Sequence, residues 1–524
     1  MTTRNAGSSD PLPDETQTVV VGGGSAGAAV AGLLAEAGRP VLLLEAGADY
    51  GPFEAGAWPP DILDARALSS SHEWGFSSET TYSNRVVAFQ RARVLGGCSS
   101  HNGCAAIWGH RADYDAWAEA GNPGWATDEL VPLFREAEAR LRVRHDRRSQ
   151  LTPFHEHCVQ AAEAAGISFT DDLNNLDENE GLGLAPVNIV EGIRWNSAFA
   201  FLDPVRDGDA LSIISNVLVD RVMIHSECAT GVVVVTSDGP HEIRAERTVL
   251  AAGTYCTPAI LQRSGIGSED VLSRAGLRTT HRLPGVGANL HDHPAMVIGY
   301  SGTPELQAQL ETYEGWLAEE QTIAKLRSPS CSRAFDLHLY PMGGPHPERP
   351  GEWRWELPVS CMTPRSRGTV AVRGADPSER PLIDHGYLTD PEGHDVAVLT
   401  EGVRIAREIA SRKPLATLLG EEIRPRGNPE DLAQAIQDSV EHYYHPVGTC
   451  QMGPAADPKT VVDSDGRVHG VDGLLVADCS IVPTAPRANT HLPATVIGLR
   501  MARALLDESP PAELTRPRAD GAGG

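Results

Sequence analysis

The sequence predicts an α/β protein, α+β overall, made of two closely packed domains. Three observations carry that reading: a β-α-β unit at the N-terminus, a later return of the chain to the same sheet, and a long stretch of separate strands and helices beyond it. A chain of 524 residues also exceeds what one hydrophobic core serves.

The elements follow in order. Residues 18–21 form a short apolar run, then a glycine cluster, then residues 25–37 with Ala, Val and Leu at helical spacing, closed by Gly38. Residues 40–44 read as a second buried strand that ends in Glu45. Residues 211–243 read as several short strands with Ser-Asp-Gly turns, and 247–252 as a buried strand that rejoins the first sheet. Between about 294 and 442 lie strand signals at 335–340 and 368–372 and a helix at 395–410. Residues 1–15 are polar, and 508–524 are rich in Pro, Ala, Gly and charge; both are expected to be disordered tails.

Composition narrows the function. Lys plus Arg number 44 against 70 for Asp plus Glu, a net charge of −26 that repels phosphate backbones and anionic bilayers. Nucleic acid and membrane are therefore not expected partners; a negative field either favours the approach of a cationic small molecule or simply marks a solvated surface, and charge alone does not decide between them. The nine cysteines form no C-x-x-C pair or Cys/His array, so neither a disulfide framework nor a metal site is expected. Residues 1–15 lack the basic and apolar regions of a signal peptide, and no apolar run is long enough to span a bilayer. A cytoplasmic enzyme is the expectation.

The glycine cluster carries the first chemistry. Gly22-Gly23-Gly24-Ser25-Ala26-Gly27 satisfies G-x-G-x-x-G between a strand and a helix, and Glu45 tips the next strand. In a Rossmann-like unit, Gly22, Gly24, Ser25 and Gly27 let the backbone approach a pyrophosphate at the positive end of the helix. Glu45 then accepts a hydrogen bond from a ribose. The motif leaves NAD and FAD both open.

Residues 91–104 (RARVLGGCSSHNGC) and 253–267 (GTYCTPAILQRSGIG) resemble the two signatures of the glucose-methanol-choline (GMC) family of flavoprotein oxidoreductases. Residues 284–294 (PGVGANLHDHP), 444–453 (YHPVGTCQMG) and 471–483 (VDGLLVADCSIVP) resemble further family segments in the same order, so the likeness covers about residues 17–505. Residues 96–102, 388–395 and 444–449 point to the choline-oxidising branch. The resemblance implies a Rossmann-like FAD-binding domain with a β-meander over 16–160, 200–295 and 443–507. It also implies a substrate domain over 161–199 and 296–442, built on an antiparallel sheet flanked by helices. The implied activity is oxidation of an alcohol to an aldehyde or ketone by hydride transfer to flavin N5, with O2 as acceptor and H2O2 as product, in a homodimer. An electron-carrier-linked dehydrogenase and a hydroxynitrile lyase remain alternatives within the same family.

The resemblance also assigns roles. Arg93, Gly97, Ser99 and Asn102 fall in the first signature as cofactor contacts, and His101 is the candidate covalent tether to the flavin 8α-methyl. Val219 resembles the residue that meets the adenine, and Asp478 an acid near the flavin's linking chain or, alternatively, a cap before Ser480. A hydroxyl proton must leave when hydride does, and imidazole suits that task at neutral pH. His445 matches the catalytic histidine. The second catalytic position, also in contact with the cofactor, falls on His491, with Asn489 the alternative. For the substrate pocket, Tyr444 and His346 match family positions, whereas Tyr313, Glu314 and Trp316 form either an aromatic and acidic cage or an ordinary helical patch.

Overall fold

The N-terminal β-α-β unit opens a mixed sheet in which Leu211–Ile214, Val41–Leu44, Glu15–Val21 and Gly239–Leu250 run parallel in that order. This computed structural model describes residues 12–66, 68–79, 85–178, 180–346, 349, 351–425 and 432–508. Strands covered on both faces need continuous apolar runs, and Val19 to Val21 and Leu42 to Leu44 are all buried. Gly239–Leu250 is one twelve-residue strand, not two strands broken near residue 245 as the sequence suggested. Its first half pairs antiparallel with Cys228–Thr236, which continues to Leu218–His225 as a meander, while its last residues pair in parallel with Leu474–Val476.

Helix Ser25–Glu36 packs against this sheet and against the C-terminal helix His491–Asp507. That crossing is close: a Cβ on Gly498 would stand 2.4 Å from the Ala26 carbonyl oxygen.

A second sheet of six antiparallel strands runs Glu441–His442, Pro294–Met296, Val359–Cys361, Leu337–Leu339, Thr322–Leu326 and Gly181–Leu184. Helix His394–Ala410 lies across it, with Gly402 against Val359 and Leu337. A four-stranded sheet of Met342–Pro345, Trp353–Glu356, Gly299–Gly302 and Leu419–Arg424 stands beside it. The antiparallel sheet flanked by helices is thus present.

Several sequence expectations shift. The helix Pro153–Ala164, placed with the first domain through residue 160, buries Phe154 and Cys158 in the core of the second sheet. Conversely Ala198–Leu202, placed with the second domain through residue 199, packs in the first core, where Phe201 meets Gly32. Residues expected in the two tails take part in the fold at both ends. Glu15 starts a strand, the Asp14 carbonyl accepts from Arg244 N, and Glu508 pairs with Arg247 and Arg467 at 2.7 Å each. The rest of the expected tails, 1–11 and 509–524, lies outside the described residues. Among the described residues no helix is long and apolar enough to cross a membrane.

Candidate active site

One cavity of about 1230 Å³ runs from the glycine turn to the His445 and His491 side chains. That exceeds the roughly 300–1,000 Å³ of an ordinary small-ligand pocket and leaves room for a dinucleotide together with a substrate.

The turn after Glu15–Val21 forms its first end. Gly22 has φ +98°, and any Cβ there would lie 2.6 Å from the Ala251 carbonyl oxygen. Gly24 is the residue before the helix, and a Cβ on it would meet nothing closer than Gly97 Cα at 3.8 Å, so the helix N-terminus opens onto the cavity. Gly22, Gly24 and Ser25 line that wall. Gly27 does not: its place is taken up by packing, because a Cβ would stand 2.0 Å from Gly22 O. Glu45 lines the cavity, yet both its oxygens already brace the turn, Oε2 accepting from Gly23 N at 2.9 Å and Oε1 from Gly47 N at 2.7 Å. Each oxygen retains a further lone pair for a ribose hydroxyl.

The 97–102 loop crosses the same wall. Gly97 (φ +54°) abuts Gly24, with a Cβ position 2.7 Å from Gly24 Cα. Arg93, His101 and Asn102 line the cavity; Arg93 is held by the Ala46 carbonyl at 3.1 Å and stacks over Trp74. Ser99 differs from expectation. It is fully buried off the cavity, donating to Gly96 O at 2.6 Å and accepting from Ser197 N at 2.9 Å, so it holds the loop rather than facing a ligand. His101 is buried with Nδ1 3.4 Å from Glu73 Oε1, and its Nε2 makes no hydrogen bond. Val219 lines the cavity from the meander, and Asp478 from the end of Leu474–Val476. Asp478 is both cap and wall: Oδ1 accepts from Ser480 N at 2.8 Å, Oδ2 from Gly253 N at 2.8 Å and Thr257 Oγ1 at 2.6 Å.

The opposite end carries the imidazoles. His445 follows Tyr444, whose φ of +65° is a sparsely populated conformation for a non-glycine residue. Arg91 holds that turn by donating to the Tyr444 carbonyl at 2.9 Å. Asp292 sets the position of two histidines through the backbone: Oδ1 accepts from His293 N at 2.7 Å and His445 N at 2.9 Å, while Oδ2 accepts from the Tyr387 hydroxyl at 3.1 Å. Burial pushes the Asp292 carboxyl up to about 6. The His445 and His293 Nδ1 atoms face each other at 3.0 Å.

His491 opens the C-terminal helix, and neither of its ring nitrogens makes a hydrogen bond. Desolvation pushes its pKa down to about 4 and that of His445 well below the usual value, so both rings are neutral at pH 7. Asn489 lines the same cavity, and its buried Oδ1 has no partner.

Of the residues expected around a substrate, Trp316, His346 and Tyr444 line the cavity. Glu314 does not: helix Pro304–Glu311 ends before it, and it is exposed. Among the acids lining the cavity is Glu320, which the sequence reading missed. Its Oε1 is buried without a partner, and burial raises its carboxyl to about 8. Beside it Tyr340 and Tyr443 stack at 4.2 Å, and Tyr443 lies 4.4 Å from the His445 ring. The neighbouring Glu319 is paired with Arg354.

These features fit a flavin dinucleotide. The open glycine cradle, the helix N-terminus, the unpartnered His101 Nε2 and the bare His491 ring share one continuous wall.

Comparison with known proteins agrees. The GMC oxidoreductase family matches residues 16–295 and, through its C-terminal part, 364–498. The chain is 32% identical to an oxygen-dependent choline dehydrogenase from Rhizobium etli, over 94% of this chain and 96% of that one. It is likewise 32% identical to choline oxidase from Arthrobacter globiformis, over 93% and 94%. Among solved structures, a pyridoxine 4-oxidase from Mesorbium loti superposes with a TM-score of 0.84 at 27% identity, covering 94% of this chain and 99% of that one. A formate oxidase from Aspergillus oryzae RIB40, at 24% identity and a TM-score of 0.82 over 94% and 98%, shares the fold. The chain belongs to the GMC oxidoreductase family and is an FAD-dependent flavoprotein oxidoreductase.

Proposed function

We propose that this protein oxidises the CH–OH group of a small amino-alcohol or similarly cationic alcohol to the carbonyl, with O2 as the final acceptor and H2O2 as product. The observation that carries the reading is the convergence of two neutral imidazoles, His445 and His491, on the cavity that begins at the glycine turn.

The Gly22–Ser25 turn and the N-terminus of its helix hold the pyrophosphate, Glu45 the ribose, and Val219 and Asp478 the two flanks of the cofactor. His101, with Nδ1 3.4 Å from Glu73 Oε1, offers Nε2 as the tether. Bound FAD supplies the acceptor for the hydride and its two electrons. His445, unprotonated because it is buried, takes the substrate's hydroxyl proton, and His491 fixes the oxygen from the helix N-terminus. Neutral rings are what this division of labour needs, since an imidazolium could not act as base.

Glu320 and the Tyr340, Tyr443 and Trp316 faces supply a carboxylate and π-surfaces for a cationic head group. The substrate preference of the choline-oxidising relatives supports the same class. Anaerobic mixing with amino-alcohols should bleach the flavin, and H2O2 should accumulate in air. A flavin that stays yellow with amino-alcohols but bleaches with uncharged alcohols would refute the substrate class.

A further inference from the structure

We propose that His293 is a positioning residue that selects the tautomer of His445, so that the His445 Nε2 lone pair faces the cavity. The inference rests on the reading of His445 as the base and deepens it.

The two rings meet Nδ1 to Nδ1 at 3.0 Å, with planes nearly perpendicular at 81°. Two like nitrogens at that distance share one proton, since two bare lone pairs repel and two N–H groups collide. If His293 holds the proton, His445 is forced to carry its own on Nε2 and has nothing left with which to accept from a hydroxyl. If His445 holds it, Nε2 is bare.

The base role of His445 decides between them. The His293 ring is fully buried and kept neutral, with a pKa pushed down to about 3 by desolvation. Its Nε2 makes no hydrogen bond, so its single proton can sit there while Nδ1 accepts from His445, the one arrangement that leaves the His445 Nε2 bare. His293 Nδ1 is then an acceptor, and it takes the Nδ1–H of His445.

The other charged or titratable groups around the pair are Asp292, Arg91, His338, His442, Arg487 and Tyr443, whose ring lies 4.4 Å from that of His445. Asp292 Oδ1 is occupied by backbone N–H groups, and none of the others is an anion. A neutral imidazole thus does the orienting that a carboxylate does in a serine-protease triad.

The test compares His293→Asn with His293→Leu in the FAD-loaded enzyme. Asn places Oδ1 close to the former Nδ1 and can still accept from His445, whereas Leu cannot accept. The expected result is anaerobic flavin reduction within about tenfold of wild type for Asn, and slowed about 100-fold or more for Leu with KM little changed. In the Leu variant the acid limb of the pH–rate profile should also move to lower pH, because losing the acceptor weakens His445 as a base. Should His293→Leu fail to hold FAD, His293→Ala takes its place in the comparison. Equal rates in the two variants, slow or fast, would overturn the proposal, because packing alone would then account for His293. A failure of the base assignment itself shows separately, as a His445→Ala variant that reduces its flavin normally.

Discussion

Glu320→Gln removes one charge from the cavity and almost no volume, so it isolates the electrostatics of substrate binding. Burial without a partner raises the carboxyl from 4.5 to about 8. At pH 7 about nine in ten wild-type molecules therefore carry it protonated when no substrate is present. A cationic head group favours the ionised form, so its binding expels a proton. The sign follows: kcat/KM for a cationic alcohol climbs with pH, up to about tenfold per unit, and levels off near pH 8. At pH 9 the Gln variant leaves a desolvated cation without its counter-charge, at a cost of about 2–4 kcal/mol, or roughly 30- to 1000-fold in kcat/KM. At pH 6 wild type has only about one molecule in a hundred ionised, and the gap should close to about tenfold or less. Stopped-flow flavin reduction from pH 6 to 9, with an amino-alcohol and a neutral alcohol of the same shape carrying carbon for nitrogen, reads this directly. The neutral analogue should not distinguish the two proteins. Equal losses on both substrates, or a flat wild-type profile, would refute the role given to Glu320. Folding shows the same group from the other side. Because its folded pKa is raised, its ionisation opposes folding as pH rises from 4.5 to about 8, so Gln should lessen the fall of Tm over that range.

Two further outcomes are expected. Gly27→Ala would put a Cβ 2.0 Å from the Gly22 carbonyl oxygen, forcing the glycine turn apart; the variant should purify with little FAD and lose about 2–4 kcal/mol of stability, whereas full yellow occupancy would show that the turn can yield. Acid-precipitated wild type should stay yellow and His101→Ala should not, and a colourless wild-type pellet over free FAD would remove His101 as tether.

How much of this was legible depended on how local each signal was. The strand, glycine turn and helix at residues 15–36 could be read because they follow one another without interruption and the turn needs a positive φ at Gly22. Whole motifs marked His445 and His491, and the cavity does bring them together. Glu320 was missed in favour of Glu314 because Glu314 stands between Tyr313 and Trp316 in the sequence, as a cage would need. The chain leaves the helix at Glu311, and Glu320 reaches the cavity through a bridge to Met342 that no local pattern announces. Ser99 lay inside a signature, yet its side chain turns to Ser197, a partner far along the chain. His293 was part of a recognised segment, but its relation to His445 is a contact across 152 residues, made by the pairing of Pro294–Met296 with Glu441–His442. The continuous strand at Gly239–Leu250 was split in the sequence reading because it changes neighbours midway, from the meander to Leu474–Val476.

The proposed oxidation depends most directly on His445 receiving the substrate proton beside the bound flavin. Its test is the rate of anaerobic flavin reduction in His445→Ala purified with its FAD. A fall of about 1000-fold with the flavin spectrum intact is the predicted result. A rate within about tenfold of wild type would contradict it.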